Sequence, residues 1–291
     1  MNISQCISES PNFFLSVEFF PPKDQNAMED FQEQACRVAA YRPLFAAVTC
    51  GAGGNGVRTH TSHAALYLQN GLGLNTVAHM TCMGMDKESA TSTLDFLQAS
   101  GLTNVMALRG DIPCGCSPDN APLSDFHHAS DLVSHIRKTH KEWNILVAGY
   151  PHAHPEAATA RTDLEHLKAK VEAGADAIVT QLFFDPRIYF DFVERLRAMG
   201  VTCPVIPGVL PVRSFASLRR LLGMCGVPIS GKLYLALEAA HKRGGDDEVR
   251  RVGMDHAVRQ INTLREGGAP GVHLYPLNRS DVFEEIWSKV I

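Results

Sequence analysis

The sequence predicts an α/β protein of the (β/α)8 TIM-barrel class with extra helical material before the last strand. Short apolar runs alternate with amphipathic helical patterns eight times along the chain, and such alternation implies a parallel sheet whose return crossovers are helices. The length of 291 residues suits eight such units in one closed barrel. Neither a linker nor a low-complexity segment interrupts the pattern, so a single domain over residues 1–291 is expected.

The strands are predicted from short apolar runs that are bounded by Gly, Pro or polar residues. The first strand ends at Pro21 and Pro22, because neither proline can donate a hydrogen bond to a sheet ladder. In chain order the predicted strands cover residues 16–20, 45–49, 74–80, 104–108, 145–149, 177–183, 205–209 and 272–275.

The helices are predicted from apolar spacing and from signals at their ends. Asp86 is expected to cap a helix N-terminus, Gly71 to end a helix, and Pro186 to lie in a first turn, where its missing N–H costs nothing. In chain order the predicted helices cover residues 27–41, 60–70, 86–100, 125–140, 161–173, 186–199, 215–267 with a break at Gly244 and Gly245, and 279–290.

Charge, hydropathy and cysteine content indicate which partners and which cellular compartment to expect. A formal charge of −4 gives no reason to expect nucleic acid or an anionic membrane as partner. No apolar run approaches the roughly 20 residues that a membrane span needs, and the first residues lack the basic and apolar regions of a signal peptide. The eight cysteines include no CxxC pair and fit a reducing cytosol. A cytoplasmic protein is therefore expected.

Polar residues gather at the predicted C-terminal ends of the strands, which is where barrels of this class carry their function. One polar residue at a strand end is ordinary loop chemistry, whereas the same position filled in most strands predicts a wide pocket lined with donors and acceptors. The residues concerned are Glu18, Thr49, His79, Thr81, Arg109, Asp111, Tyr150, His152, His154, Thr180, Gln181, Asn278 and Arg279.

Glu18 is the candidate proton donor among these residues. It stands inside an apolar strand, and an apolar wall disfavours the anion of a carboxyl group. Phe19, Phe20 and the two prolines that follow would keep such an acid dry enough to hold its proton near neutral pH. The alternative is a carboxylate at a strand end that points to solvent.

Two further patterns each allow a functional and a structural interpretation. The glycine-rich residues 51–56 fit neither a P-loop nor a dinucleotide fingerprint, and they form either a close approach to a flat or anionic ligand or a simple turn. Asp163, His166 and Lys170 fall on one helix face. That face is either a solvated ionic surface or a lip that holds a phosphate.

A series of motifs occurs in an order that is typical of one family. The motifs are residues 17–23 (VEFFPPK), 58–60 (RTH), 79–82 (HMTC), 107–111 (ALRGD), 129–132 (ASDL), 150–151 (YP), 154–157 (HPEA), 180–185 (TQLFFD), 207–211 (PGVLP) and 277–279 (LNR). From about residue 13 to residue 285 the chain thereby resembles 5,10-methylenetetrahydrofolate reductase, a flavoprotein of one-carbon metabolism. Its length is similar to that of the bacterial form, which has a single domain.

The resemblance implies a flavin oxidoreductase of tetrahydrofolate interconversion and methionine biosynthesis. FAD would be held non-covalently at the strand C-termini, NAD(P)H would reduce the flavin and leave, and methylenetetrahydrofolate would then accept the hydride. Folate and NAD(P)H are the expected small-molecule partners, and a homo-oligomer is expected by family analogy.

The resemblance also implies a role for each matching residue. Glu18 is the general acid that assists opening of the five-membered folate ring, and Asp111 is a carboxylate that would stabilise the cationic intermediate. Substrate contacts match Thr49, Asp111, Gln181, Ser217 and Arg279. FAD contacts match Thr49, Ala52, His79, Arg109, Gly110, Asp111, His128, Ala129, Tyr150, His154, Ala157, Asp163, His166 and Lys170.

The chain departs from the best-known bacterial members at several of these positions. They have Tyr, Asn and Arg where this chain has His128, His166 and Ala169, so a cation suited to a pyrophosphate is missing here. They have Gln and Phe where this chain has Ser217 and Leu221, and Leu cannot stack on a pterin or nicotinamide. Cys50 replaces a Tyr beside Thr49.

Other functions stay open from the sequence. A relative of the reductase could oxidise methyltetrahydrofolate in C1 catabolism, and an inactive flavin- or folate-binding barrel is a further alternative, against which the retained Glu18, Asp111 and Gln181 argue. His152 and His154 could serve a metal-dependent barrel hydrolase. The ligand-plus-carboxylate pattern of such a hydrolase is not evident, so no metal is predicted.

Overall fold

A closed barrel of eight parallel strands forms the centre of the molecule. The computed structural model describes residues 3–10, 12–50, 55–111 and 123–291. Each strand pairs with its neighbours in sequence, and the last strand pairs with the first, which confirms the predicted fold class. The strands are β1 (Phe14–Phe19), β2 (Ala46–Val48), β3 (Thr76–Thr81), β4 (Asn104–Leu108), β5 (Asn144–Gly149), β6 (Ala177–Leu182), β7 (Val205–Val209) and β8 (Gly271–Leu274).

Helices surround the barrel and bury their apolar faces on the outside of the strands. They are α1 (Ile3–Glu9), α2 (Gln25–Ala39), α3 (Asn55–Leu66), α4 (Lys87–Ala99), α5 (Ala129–Thr139), α6 (Ala160–Glu172), α7 (Pro186–Ala198), α8 (Phe215–Cys225), α9 (Gly231–Glu266) and α10 (Ser280–Val290). None of the helices in the described parts of the chain combines the length and the apolar character that crossing a bilayer requires.

The alternation of side chains along β1 decides where Glu18 points. Leu15, Val17 and Phe19 pack outward against the helices, whereas Phe14 belongs to the cluster inside the barrel. Because successive strand residues face opposite sides, Glu18 shares the interior face with Phe14. It lies at the C-terminal end of β1, at the end of the barrel where the predicted site residues gather.

Helix α1 is a feature that the sequence did not predict. Ile3 and Ile7 are buried in the same interior cluster as Phe14 and Phe45, which stand at the N-terminal side of the barrel. The hydroxyl of Ser4 also donates a 3.0 Å hydrogen bond to a side chain of β5. A seven-residue helix is marginal by itself, so its stability comes from this packing rather than from a local signal.

Several predicted helix ends are confirmed, and one is wrong. Asp86 accepts a hydrogen bond from the backbone of α4 and is its N-cap, and Pro186 lies in the first turn of α7. Gly71, however, is the last residue of a π-helical turn and is not the cap. The left-handed backbone follows at Gly73, with φ of 68°, because the wider π turn delays the end of the helix.

The predicted break in the long helical stretch is confirmed within α9. Gly244 and Gly245 depart from helical geometry, and Gly245 adopts φ of 63° and ψ of −147°, a conformation that is open almost only to glycine. Together α8 and α9 supply the extra helical material between β7 and β8. A separate apolar cluster holds α8 and the first half of α9 against the loops that follow β6 and β7.

Replacing Gly208 by Ala is expected to destabilise the protein by about 1–3 kcal/mol, because a side chain there overpacks the barrel rim. A Cβ atom would overlap the carbonyl oxygen of Thr180 and would lie 2.6 Å from Cε2 of Tyr275. Neither neighbour can move freely, since the Tyr275 hydroxyl donates a 2.7 Å hydrogen bond to that same oxygen. Denaturant unfolding of the two proteins measures the difference.

Gly223→Ala is the matched control for this prediction. Gly223 lies inside α8, and no atom lies within 4 Å of the position that its Cβ would take. Alanine there is expected to stabilise the protein by about 0.5–1 kcal/mol. Equal effects of the two substitutions would contradict the packing argument.

Candidate active site

A large cavity opens at the C-terminal ends of β3, β4 and β5 and extends over α5 and α6. Its volume is about 640 Å³, which lies within the usual range for small-molecule and cofactor sites of roughly 300–1,000 Å³. Most of the predicted cofactor contacts lie in its wall, namely Arg109, Gly110, Asp111, His128, Ala129, Tyr150, His154, Ala157, Asp163, His166 and Lys170.

The remaining predicted cofactor contacts lie elsewhere. Thr49 follows β2, and its carbonyl oxygen accepts a 2.9 Å hydrogen bond from the hydroxyl of Thr61. His79 is buried inside the barrel at β3. Ala52 lies outside the described residues. Cys50, which departs from the family pattern, does line the cavity, with Sγ 3.7 Å from Oγ1 of Thr81.

The loop after β4 brings a cation and a close backbone approach to the cavity wall. Arg109 donates a 2.6 Å hydrogen bond to Glu156, which raises the pKa of the guanidinium and lowers that of the carboxyl. Gly110 has φ of 86°, and a Cβ there would lie 3.0 Å from the Cβ of Thr81. A glycine therefore suits both the backbone conformation and the space at this point.

A second cation lies at the base of the cavity, on α6. Lys170 donates a 3.0 Å hydrogen bond from Nζ to the carbonyl of Ala148. Burial lowers the pKa of its ammonium group, and the carboxylate of Asp163 opposes that shift. Asp163 also accepts a 3.1 Å hydrogen bond from the backbone N–H of His154, and the ring of His154 lies edge-on to Tyr150 at 4.6 Å. The helix face of Asp163 and Lys170 is therefore part of the cavity and not a purely solvated surface.

The outer lip of the cavity carries the departures from the family pattern. The rings of His128 and His166 are stacked with centroids 6.0 Å apart, and they join α5 to α6 across the opening. Ala169 lies beside them in the cavity wall and contributes no charge. The lip therefore presents two imidazoles beside an uncharged alanine.

Glu18 lies at the centre of the barrel mouth, between two imidazoles. Its Oε2 is 3.6 Å from Nε2 of His79 and 3.8 Å from Nε2 of His273. The side chain of Glu18 is 16% exposed and that of His273 is fully buried. Burial lowers the pKa of His79, and the nearby Glu18 opposes that shift. Neither Nε2 atom has a hydrogen-bond partner within the described structure.

The prediction that Phe19 and Phe20 form an apolar wall around Glu18 is wrong. Phe19 points away from Glu18 and packs edge-on against Phe31 at 5.8 Å in the outer layer, and Phe20 is 45% exposed. For Phe19 the cause is the two-residue period of the strand, which places it on the face opposite Glu18, whereas Phe20 lies beyond the end of β1. The groups that surround the carboxyl come instead from other strands.

Asn278 closes the barrel rim between β1 and the loop after β8. Its side chain accepts a 2.7 Å hydrogen bond from the N–H of Phe20 and donates a 2.9 Å hydrogen bond to the Phe20 carbonyl. Asn278 adopts φ of 57°, a left-handed conformation that asparagine tolerates better than most residues. This two-point contact fixes the chain immediately after Glu18.

The predicted substrate contacts are divided around the rim. Gln181 accepts a 2.8 Å hydrogen bond from the N–H of Leu182, and it lies near Tyr150, where burial raises the pKa of the hydroxyl and Gln181 opposes that shift. Ser217 donates a 2.9 Å hydrogen bond to the carbonyl of Ser214 at the start of α8. Arg279 is 50% exposed and pairs at 3.0 Å with a carboxylate of α10. Ser217 and Arg279 lie outside the wall of the large cavity.

Sequence reasoning missed some of the groups around Glu18. His273 stacks on Phe45 at 5.3 Å, and its Nδ1 lies 2.8 Å from Oγ of Ser16. Tyr275 lies edge-on to His273 at 5.3 Å, and burial raises its pKa well above the usual range, with a further contribution from Glu18. A histidine inside the short apolar run of β8 was the signal that could have identified this cluster.

No group of three or more His, Cys, Asp or Glu side chains in the described parts of the chain is arranged to hold a metal ion. His152, which the sequence offered as a possible ligand, has an Nε2 atom without a hydrogen-bond partner in the described structure. Burial lowers the pKa of this ring, and Asp185 opposes the shift.

Comparisons with known proteins agree on one family. Residues 2–290 match the family model for methylenetetrahydrofolate reductase. The chain is 36% identical over 284 residues to methylenetetrahydrofolate reductase (NADH) 1 of Arabidopsis thaliana, an alignment that covers 94% of this chain and 48% of the relative. It is 33% identical over 270 residues to 5,10-methylenetetrahydrofolate reductase of Pectobacterium carotovorum subsp. carotovorum, covering 92% of this chain and 87% of the relative. The chain thus spans about half the length of the plant relatives it matches.

A solved structure shares the fold. It is an uncharacterized protein from Clostridium thermocellum that binds two copies of 5-methyl-5,6,7,8-tetrahydrofolic acid. The TM-score is 0.67 at 12% sequence identity, and the match covers 99% of this chain and 97% of that chain. At this identity the likeness supports the barrel fold alone.

Proposed function

The chain belongs to the methylenetetrahydrofolate reductase family, and we propose that it reduces 5,10-methylenetetrahydrofolate to 5-methyltetrahydrofolate with NAD(P)H through a bound FAD. The observation that carries this proposal is the position of Glu18 at the barrel mouth beside a cavity of about 640 Å³ lined by the residues that match the family's FAD contacts. By family analogy we also propose a cytoplasmic homo-oligomer.

The residues of the cavity fit a flavin dinucleotide. Arg109 and Lys170 are cations on two sides of the wall and suit a pyrophosphate, and the first turns of α5 and α6 add helix N-termini on the same side. Gly110 allows the backbone to approach a flat ring closely. When bound, FAD supplies hydride transfer, which no side chain can provide.

Glu18 would act on the folate and not on the cofactor. Its O–H bond breaks as the proton passes to a ring nitrogen of methylenetetrahydrofolate, and the bond between that nitrogen and the bridging carbon opens. The second nitrogen forms the iminium bond, so the substrate becomes a cation while Glu18 becomes a carboxylate. Hydride addition to the bridging carbon then gives the methyl group. Asp111 would stabilise the cation electrostatically.

The substrate would lie over the rim on the side of Glu18 and Gln181. Gln181 can offer its amide to either the folate or the nicotinamide, because its oxygen accepts from the N–H of Leu182 and its NH₂ group can still donate. Arg279 is half-exposed at the far side of the rim and suits a glutamyl carboxylate. Leu221, which packs against the apolar cluster of α8 and α9, would offer the substrate apolar contact but no stacking.

Anaerobic stopped-flow spectroscopy tests the proposed function. The purified protein is expected to be yellow, NAD(P)H is expected to bleach the flavin band, and methylenetetrahydrofolate is expected to restore it. A colourless protein that FAD cannot reconstitute would contradict the proposal. Bleaching by 5-methyltetrahydrofolate but not by NADH or NADPH would instead favour the oxidative direction.

Replacing Ala169 by Arg is expected to tighten FAD binding roughly 3- to 10-fold, because the new guanidinium at the cavity lip can pair with a phosphate. Ala169 is an exposed residue of the cavity wall and immediately precedes Lys170. Titration of the apoprotein with FAD, followed by flavin fluorescence, gives the dissociation constant.

Ala198→Arg is the control for this gain in affinity. Ala198 is exposed at the end of α7 and is not part of the cavity wall, so it adds the same charge without a phosphate partner. A similar gain in both variants would show a general charge effect and would remove the specific explanation.

A further inference from the structure

Arg213 lies at the barrel rim after β7 as a half-buried cation without a carboxylate partner. Within the described parts of the chain its guanidinium forms neither a hydrogen bond nor an ion pair. Burial lowers the pKa of this group, the nearby Arg279 lowers it further, and Asp281 opposes the shift from beyond ion-pair distance. A cation that is partly withdrawn from water usually has a partner that offsets the cost, so this one needs an explanation.

The carboxylates closest to this part of the rim are already shared by other cations. Asp281 accepts a 3.0 Å hydrogen bond from Arg279 and a 3.3 Å hydrogen bond from Arg250. Glu285 pairs at 2.8 Å with Arg250 and at 2.8 Å with Lys289. Each of the two carboxylates therefore faces two cations, and the guanidinium after β7 adds to an excess of positive charge.

The backbone around Arg213 is fixed on both sides. Helix α9 touches the residue before it, since a Cβ on Gly253 would overlap the carbonyl oxygen of Val212. On the other side the N–H of Phe215 donates a 3.3 Å hydrogen bond to Asp246, at the start of α8. The loop therefore holds the guanidinium at one place on the rim, as a preorganised binding residue requires.

The order of the strands places this cation on the side of the proposed folate site. Strand β7 pairs with β8, and β8 pairs with β1, so the residues that follow these strands are neighbours around the rim. Arg279 comes directly after Asn278, which is bonded to the chain just beyond Glu18. A ligand that extends from Glu18 past Arg279 therefore reaches Arg213 next.

The glutamyl group of a folate carries two carboxylates, and both are ionised at neutral pH. In the proposed function Arg279 suits one of them. We propose that Arg213 binds the other, so that the two guanidiniums form a subsite for the dicarboxylate end of the substrate. The planar fork of an arginine matches a carboxylate with two hydrogen bonds.

This inference rests on the proposed function for the identity of the substrate. It adds a substrate contact that the resemblance to the family does not include.

Calorimetric titration of the FAD-loaded protein tests the subsite with two ligands. One ligand is 5-methyltetrahydrofolate, and the other is 5-methyltetrahydropteroate, which lacks the glutamate. Arg213→Gln is expected to weaken binding of the folate roughly 5- to 10-fold and to leave binding of the pteroate unchanged. Equal weakening of both ligands, or no change in either, would overturn the inference.

Two readouts separate a role of charge from a role in packing. Arg213→Lys keeps the cation without the planar fork, so it is expected to retain more of the folate affinity than Arg213→Gln. The difference between wild type and Arg213→Gln is expected to shrink as the salt concentration rises from about 0.05 M to about 0.5 M, because ions screen a partly exposed pair. Equal losses in both variants that salt does not alter would indicate packing alone and would overturn the inference.

Arg42→Gln is the control for these measurements. Arg42 is exposed in the turn before β2, at the opposite end of the barrel. The same loss of charge there is expected to change the affinity for neither ligand. A loss of folate affinity equal to that of Arg213→Gln would show a general effect of net charge and would overturn the inference.

The remaining outcomes distinguish the anion and the two proposals. The phosphate that distinguishes NADPH from NADH is another anion that a pair of guanidiniums can hold. If Arg213→Gln weakens use of NADPH relative to NADH and leaves folate binding intact, the subsite holds that phosphate and the inference is overturned. A wild type that binds neither the folate nor the pteroate would overturn both proposals. A wild type that prefers the folate through Arg213 but does not reduce methylenetetrahydrofolate would contradict the proposed function and leave the subsite established.

Discussion

Replacing Glu18 by Gln is expected to slow the transfer of electrons to methylenetetrahydrofolate by about 10²–10⁴-fold, the usual contribution of a general acid. The amide keeps the shape of the side chain between His79 and His273 but has no acidic proton to give to the folate nitrogen. Reduction of the flavin by NAD(P)H is expected to continue unchanged, because hydride transfer from a nicotinamide needs no acid. Anaerobic stopped-flow absorbance of the flavin measures the two half-reactions separately.

Glu284→Gln is the control for this substitution. Glu284 pairs with Arg37 at 2.6 Å on the outer surface between α2 and α10, so the same chemical change there is expected to leave both half-reactions intact. If Glu18→Gln slows flavin reduction and folate reduction equally, the side chain holds the site together and is not the acid. If neither half-reaction changes, another group donates the proton.

The barrel could be predicted from the sequence because its signals are local and repeated. Each strand is a short apolar run, each crossover is a helix with its own end signals, and Asp86 and Gly245 lie where their chemistry requires a cap and a break. Helix α1 could not be predicted, because Ile3 and Ile7 become informative only when the interior of the barrel is present to bury them. Local sequence patterns thus predict the strands and the helices around them. The packing of α1 against the end of the barrel depends instead on tertiary contacts.

The candidate site could be predicted only in part, and the reason is the direction of side chains. The predicted residues after β4 and β5 and on α6 line one cavity, since the C-terminal ends of parallel strands meet, whereas Thr49, His79 and Arg279 lie outside its wall. Phe19 is next to Glu18 in sequence but not in space, because successive side chains of β1 point to opposite faces. The true neighbours, His79 and His273, come from strands that are distant in sequence, and their approach to Glu18 depends on the closed barrel.

The environment of Glu18 changes the physical argument for its role. A carboxyl in a dry apolar wall would keep its proton because the anion is poorly solvated. Here the carboxyl faces the Nε2 atoms of His79 and His273 at 3.6 and 3.8 Å, so polar ring nitrogens form part of its surroundings. Residues that never touch the folate can therefore influence this carboxyl.

Replacing Asp111 by Asn is expected to slow the folate half-reaction by about 10²–10³-fold, the usual effect of removing one electrostatic stabiliser. Asp111 lines the cavity, and burial raises the pKa of the Tyr150 hydroxyl and of the Cys225 thiol, with a further contribution from the charge of Asp111. A negative charge that acts on both groups lies where it can stabilise the folate cation. The nicotinamide half-reaction forms no cation on folate, so it is expected to slow much less.

The reduction potential of the flavin gives an independent readout of the same charge. An anion near the isoalloxazine opposes the addition of electrons, so Asp111→Asn is expected to raise the potential, which spectroelectrochemical titration measures. Asp255→Asn removes a carboxylate that pairs with Arg251 on the outer face of α9, and it is expected to change neither the potential nor the rates. A slower folate step with an unchanged potential would place Asp111 near the folate and away from the flavin. Equal slowing of both half-reactions would contradict its role in stabilising the cation.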